Sequence, residues 1–263
     1  MEIIAKISKG SKMDQIYIPK NRASFGIGNY VVVKPLETEK IMEKPYFYGV
    51  KNVEPMKLRI VEEVFNIIEK KIMKYDNIII TGSFLDKGFK FNDIDILIIS
   101  NEKSGGMGKK VEERIGIKAH LILLDNKSLM RGASTDPLYK IMLSKCISKK
   151  RIILNVKKEI NYKILDLHLL KSKILQDNFD ILNGNEKYYL VRNMVAIYLF
   201  IKDKIISKDE VDNEIKKIFK LKDVNEVKEN ILNKKEFLKW YKGAYNETFD
   251  LIMDGIKNGA KQE

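Results

Sequence analysis

Apolar and polar positions change their period along this chain, and the changes divide it into three stretches. In the first 55 residues the apolar groups come in short runs, AKI, QIYIP and YVVVKP, parted by polar or glycine-containing turns. Runs of that length between such breakers predict short strands. Pro19, Pro35, Pro45 and Pro55 all fall here, and residues 37–55 read as a linker. From Met56 to Tyr75 the residues Leu58, Val61, Val64, Phe65, Ile68 and Ile72 follow the spacing of an amphipathic helix. NIIIT (77–81) then reads as a strand, IDILIIS (94–100) as a near-buried one, KAHLILL (118–124) as a third strand and RIILN (151–155) as a short fourth. SGGMGKKVEERIG between them predicts a turn and a short helix. Asp136-Pro137 opens a further helix to about Cys146, with Asp as its cap and Pro in its first turn.

From Glu159 onward the period is helical, through YYLVRNMVAIYLFIKDKI, SKDEVDNEIKKIF and KKEFLKWYKGAYNETFDLIMDGI. Ser207 with Glu210 three residues later is a capping-box pattern. Phe237, Trp240, Tyr241, Ala244, Tyr245, Phe249 and Ile252 form a stripe that reads as core or dimer seam. Four or five helices packed as a bundle are expected. The predicted fold class is therefore α+β, with a small β module at 1–50, a mixed-sheet domain at 56–155 and a helical bundle at 156–263. So small a module buries too little surface to be secure alone, so it is expected to pair with a copy of itself or pack on the rest.

Composition changes this picture in two ways. The single Cys146 excludes an internal disulfide framework and fits a reducing compartment. The start, MEIIAKISKG, lacks a signal-peptide apolar region, and the run MVAIYLFI at 194–201 is far short of the roughly 20 residues that span a bilayer. A cytoplasmic protein without a membrane segment is the expectation. Net charge is +13, and residues 56–155, with 19 Lys/Arg against 12 Asp/Glu, hold +7 of it. A basic surface there favours polyanionic partners, nucleic acid among them.

Candidate chemistry is concentrated in TGSFLDKGFKFNDIDILIIS (81–100). Asp93 and Asp95 stand two apart at the start of an extended run, so both carboxylates project from one face. Paired acids repel unless a cation lies between them, and Mg²⁺ takes such ligands together with substrate phosphates. Gly82-Ser83, ending the previous strand, offers a backbone N–H and a hydroxyl to a phosphate. The plainer reading is a solvated strand end. SGGMGKK (104–110) lacks the spacing of a P-loop and reads as a turn opening a helix.

Gly82-Ser83, nine residues, then Asp93-Ile94-Asp95 followed by apolar Ile96 to Ile99, resembles the signature of the polymerase-β-like nucleotidyltransferase superfamily. The resemblance covers about residues 56–155, the preceding helix and following strands being similar to that family's minimal core. It implies Asp93 and Asp95 as metal ligands and catalytic residues, with Mg²⁺ as cofactor. It also implies Gly82 and Ser83 at the triphosphate of an NTP, ATP being the expected donor, with Lys87 and Lys90 as further nucleotide-binding candidates. Family members carry a third carboxylate on the next central strand, and the position that should supply it is His120. That departure leaves three roles open for His120: core filler, site member with altered chemistry such as general base, or the mark of a domain that binds without catalysis. His168 reads as structural. The implied function is transfer of a nucleoside monophosphate from an NTP to a hydroxyl acceptor. The alternative is a non-catalytic DNA- or RNA-binding regulator on a degenerate nucleotidyltransferase domain.

The front of the chain resembles the AbrB/SpoVT-like swapped-hairpin module. Ile16-Tyr17-Ile18-Pro19-Lys20, Phe25-Gly26-Ile27 and Val31 to Val33 match its landmarks, although Asn21-Arg22-Ala23-Ser24 carries less charge than its short helix usually does. The resemblance implies an intertwined homodimer, with Lys9, Lys12, Lys20 and Arg22 as nucleic-acid contacts.

Overall fold

The computed structural model describes residues 7–18, 26–27, 44–102 and 105–259. The chain divides into two compact units, residues 1–42 and 43–263. In the first, β1 (Ile7–Ser8) and β2 (Gln15–Ile16) pair antiparallel, Ile7 opposite Ile16. Lys9 and Lys12 are exposed on the turn between them. Lys20, Arg22 and the expected strand at Val31 to Val33 lie outside the described residues.

The second unit runs β3 (Tyr46–Tyr48), α1 (Pro55–Glu69), β4 (Asn77–Thr81), a 3₁₀ turn (Ser83–Leu85), β5 (Asp93–Ile99), α2 (Met107–Ile115) and β6 (Lys118–Leu124). It continues with α3 (Asn126–Thr135), α4 (Pro137–Ser144) and β7 (Cys146–Ser148). The helices α5 (Tyr162–Ser172), α6 (Ile174–Asp177), α7 (Gly184–Ile201), α8 (Lys208–Phe219), α9 (Asn225–Lys228) and α10 (Lys234–Gly259) complete it. The architecture is α+β, a mixed sheet followed by a helix-rich half.

The sheet order is β3-β7-β4-β5-β6, antiparallel except for the parallel β5–β6 pair. Period-two alternation divides the central strands between two apolar layers. Ile78, Ile80, Ile94, Ile96 and Ile98 face α1 and α2, beside Val61, Val64, Ile68 and Val111. Ile79, Leu97 and Ile99 face α3 and α4, beside Leu129, Ala133 and Leu143. Each such fully buried side chain contributes about 1.5–3 kcal/mol, which holds the register of β5 against a one-residue slip. Asp93 and Asp95 share the Leu97 face, at the end where that apolar cover stops.

Two sequence expectations shift. The fourth sheet segment is Cys146–Ser148 rather than RIILN, because Thr81, Ile80 and Ile79 pair with Cys146, Ile147 and Ser148. Past Ser148 a side chain takes over from the ladder. Asn77 Oδ1 accepts the Lys150 N–H at 2.9 Å, and Asn77 Nδ2 donates to Lys150 O at 3.0 Å. Within the expected linker, Tyr46–Tyr48 joins the sheet as its edge strand on β7.

The helices enclose a core of their own, in which Leu165, Leu169, Val191, Val195, Val211, Ile215, Phe237, Tyr241 and Ile252 are buried. Ile141 of α4 belongs to this core as well, so one helix serves both the sheet and the bundle. α7 lies buried along most of its length and takes in the MVAIYLFI run. Its start is a full capping box between Asn183 and Glu186. Ser207 caps α8 by accepting the Glu210 N–H. Among the described residues no helix is long and apolar enough to cross a membrane.

Candidate functional site

The site lies where β4 ends and where β5 and β6 begin. After Thr81 the chain turns at Gly82, whose φ of 88° and ψ of −165° belong to a region few other residues enter. That turn brings the backbone hard against the next strand: a Cβ built on Gly82 would lie 2.1 Å from Asp95 Oδ2. Thr81 holds the strand end in place by donating its hydroxyl to Met142 O at 2.8 Å, with Lys145 O at 3.0 Å. Ser83 follows, exposed at the start of the 3₁₀ turn whose Phe84 and Leu85 are buried.

Asp93 and Asp95 stand two apart on β5, and Asp95 is the ladder partner of His120 on β6. Partners in a parallel pair point the same way, so all three side chains meet on one face. His120 Nδ1 lies 3.3 Å from Asp93 Oδ2 and 3.5 Å from Asp95 Oδ1. One ligand atom from each residue falls within 4.8 Å of the others. Burial pushes the Asp95 carboxyl above the ordinary carboxylate range, and the Asp93 charge adds to the push. His120 and the Arg192 guanidinium on α7 pull the other way.

These residues fit a divalent cation. Two carboxylates and an imidazole are hard and borderline donors on one face, and Gly82 leaves the room against Asp95 that any side chain would fill. A cation there would offset the repulsion that Asp95 carries. The donor set admits a general divalent metal and does not by itself single out Mg²⁺.

The loop between Gly82 and Asp93 is held from beneath by a buried lysine. Lys57 is fully buried, and its ammonium donates to Asp86 O and Gly88 O and lies 3.1 Å from Glu54 Oε2. The rings of Phe84, Phe89 and Phe91 stand 5.4–5.8 Å from the same nitrogen, a cation–π cage. Glu54 Oε1 in turn accepts the Gly88 N–H at 2.6 Å. That bond leads the interactions that hold the Glu54 carboxyl down at about 2.

Two further lysines, one between α4 and β7 and one on α8, grip the same loop. Asp86 Oδ1 accepts from Lys145 Nζ at 2.7 Å and also from Lys208 Nζ of α8. Burial alone would push the Asp86 carboxyl up, but the two ammonium groups outweigh it and hold it below the usual range. Behind them the Tyr188 hydroxyl donates to Asp212 Oδ1 at 2.6 Å. Arg192 stacks its guanidinium 4.8 Å above the Tyr189 ring.

The structure therefore brings Gly82, Asp93, Asp95 and His120 together, with Ser83 beside Gly82 in the chain. Lys87 is exposed on the loop, and Lys90 Nζ lies 3.7 Å from Glu229 Oε1 at the end of α9. His168 pairs through Nε2 with Asp136 Oδ2 at 3.0 Å, joining α5 to the cap of α4. Arg192, Lys57, Asp86, Lys145 and Lys208 were not singled out from sequence. Lys57 did leave a trace: with Val61, Val64 and Ile68 it keeps the spacing of a buried helix face. No family model, curated protein or solved structure matches this chain.

Proposed function

We propose that the protein is a metal-dependent nucleotidyltransferase that moves a nucleoside monophosphate from an NTP, with ATP the expected donor, onto a hydroxyl acceptor. The observation that carries this reading is the meeting of Asp93, Asp95 and His120 on one strand-end face, with Gly82 packed against Asp95. In this reading the two aspartates hold a divalent cation, for which Mg²⁺ is the default of triphosphate chemistry. When bound, the ion neutralises phosphate oxygens and helps orient the reacting group.

The chain's own groups then have separable tasks. The Ser83 hydroxyl and the backbone N–H groups of Gly82 and Ser83 receive the triphosphate, and Lys87 and Lys90 extend a cationic surface along it. The acceptor oxygen bonds to the α-phosphorus as the bond to the bridging oxygen breaks and pyrophosphate departs. The acceptor's proton passes to a base, for which the carboxylates and the imidazole are the groups at hand. Tyr188, Asp212, Lys208 and Lys145 position the loop through Asp86. Exposed Lys9 and Lys12, with Lys20 and Arg22, support a front module that dimerises and touches nucleic acid. The lone buried Cys146 suits a cytoplasmic setting.

The test is transfer of label from an α-phosphate-labelled NTP to hydroxyl acceptors, together with NTP binding in the presence of a divalent ion. The double substitution Asp93→Asn/Asp95→Asn is expected to abolish both metal binding and transfer. Transfer that survives the double substitution overturns the site assignment. Binding of nucleotide or nucleic acid with no transfer to any acceptor class replaces the enzyme with the non-catalytic regulator.

A further inference from the structure

Among metal-carboxylate sites, the unusual member here is His120, and its placement is specific. It sits directly opposite Asp95 in the β5–β6 ladder, and the N–H of its neighbour Ala119 is fixed by Glu112 Oε1 at 2.9 Å. The strand therefore delivers His120 to the carboxylates without a mobile loop in between. Nδ1 is the nitrogen that faces them, at 3.3 and 3.5 Å. A charge-assisted N–H···O bond closes to about 2.8 Å, which neither contact does. Cis ligand atoms bound about 2.1 Å from one six-coordinate ion lie about 3.0 Å apart, so a shift of a few tenths of an ångström lets Nδ1 share an ion with either carboxylate.

We propose that His120 binds the metal directly through Nδ1, and that this two-carboxylate, one-imidazole site selects Mn²⁺ over Mg²⁺. It rests on Asp93 and Asp95 being metal ligands, but not on the reaction the site performs. Mg²⁺ dehydrates reluctantly and takes oxygen donors, so an imidazole in its shell replaces a preferred ligand with a poorer one. Imidazole suits the transition metals, whose affinity for nitrogen donors exceeds that of Mg²⁺. Zn²⁺ would favour a four-coordinate site richer in nitrogen or sulfur. Two carboxylates plus the oxygens of a bound phosphate leave the shell oxygen-dominated, which Mn²⁺ accepts together with one nitrogen.

The experiment measures metal binding rather than turnover. Mn²⁺ is titrated into the full-length protein by electron paramagnetic resonance, and Mg²⁺ affinity is read from competition against it. Pulsed measurements on the bound Mn²⁺ then look for nitrogen coupling. Wild type is expected to show the coupling of a directly bound imidazole nitrogen. His120→Asp is expected to abolish that coupling and lower the Mn²⁺-over-Mg²⁺ affinity ratio by at least about tenfold. His120→Ala should also lose the coupling and weaken Mn²⁺ by about 10- to 100-fold. The His120 side chain is about half exposed, at 49%, so both variants should fold, and matched thermal unfolding checks this. Mn²⁺ bound without nitrogen coupling, or an affinity ratio unchanged in His120→Asp, overturns the proposal and leaves the metal site standing. A wild-type protein that binds neither ion, or binding that survives Asp93→Asn/Asp95→Asn, overturns the metal site itself.

Discussion

Gly82 and Asp95 are in contact that only a missing side chain permits: the Cβ that Gly82 lacks would lie 2.1 Å from Asp95 Oδ2. The turn before the site and the carboxylate within it are therefore one structural unit. Gly82→Ala must displace either the turn or Asp95, and the φ of 88° adds backbone strain of about 1–3 kcal/mol. The expected outcome is a lower unfolding midpoint and a metal affinity reduced by at least about tenfold, read by calorimetry and by Mn²⁺ titration. Unchanged metal affinity would show that Asp95 can move aside without consequence.

Lys57 is expected to govern the loop between Gly82 and Asp93. Lys57→Met preserves apolar volume inside the Phe84, Phe89 and Phe91 cage but removes the donors that Asp86 O and Gly88 O share. The two stranded carbonyls should cost about 2–4 kcal/mol. Hydrogen exchange should show amides of residues 86–90 opening faster, while those of β4 and β5 change only with global stability.

Asp86 makes stability depend on acid pH, with a definite sign. Its carboxyl is depressed in the fold below its ordinary 3.8. The contribution is thus fully present above that value and is lost as pH falls through the lower folded one. Asp86→Asn removes it and leaves Lys145 and Lys208 facing each other without their shared partner. In urea unfolding, the gap between wild type and variant should be widest near about pH 7 and shrink toward about pH 2. A gap independent of pH would mean that the ion pairs do not set it.

Cys146 should be chemically silent in the native protein. Burial beneath β4 and α4 pushes its thiol up to about 12, and its sulfur donates to Leu143 O at 3.3 Å. A thiol-specific disulfide reagent at neutral pH is expected to react only at the rate of unfolding. Rapid labelling with no loss of structure would contradict the burial.

The strands that frame the site were legible from side-chain pattern. Isoleucine-rich NIIIT, the run after Asp93 and KAHLILL are short apolar segments between breakers, and they became β4, β5 and β6 almost to the residue. The weaker signals went astray for local reasons. RIILN has the composition of a strand, yet its neighbour Lys150 is captured by the Asn77 side chain, and three residues earlier suffice to complete the β4 ladder. NKSLMRGAST carries few apolar residues and an internal Gly132, so helix α3 depends on the Asp125 cap and on Leu129 and Ala133 meeting the sheet.

The candidate site divides in the same way. Asp93 and Asp95 share a face because strand geometry alternates side chains, which depends on the backbone alone and is readable from two residues of spacing. The sequence also marks His120 by its place in the third strand. That His120 lies across from Asp95 rather than one residue to either side is a matter of ladder register, decided by how the apolar layers on the two sheet faces pack. Lys145 and Lys208 reach Asp86 from 59 and 122 residues away in the chain, and Arg192 acts on Asp95 from α7. Local pattern carries no information at such separations. The β7–β4 pairing carries Lys145 in, and only the folding of the helical half against the sheet brings Lys208 and Arg192, because burial makes each unpaired charge costly and so selects the arrangement that pairs them.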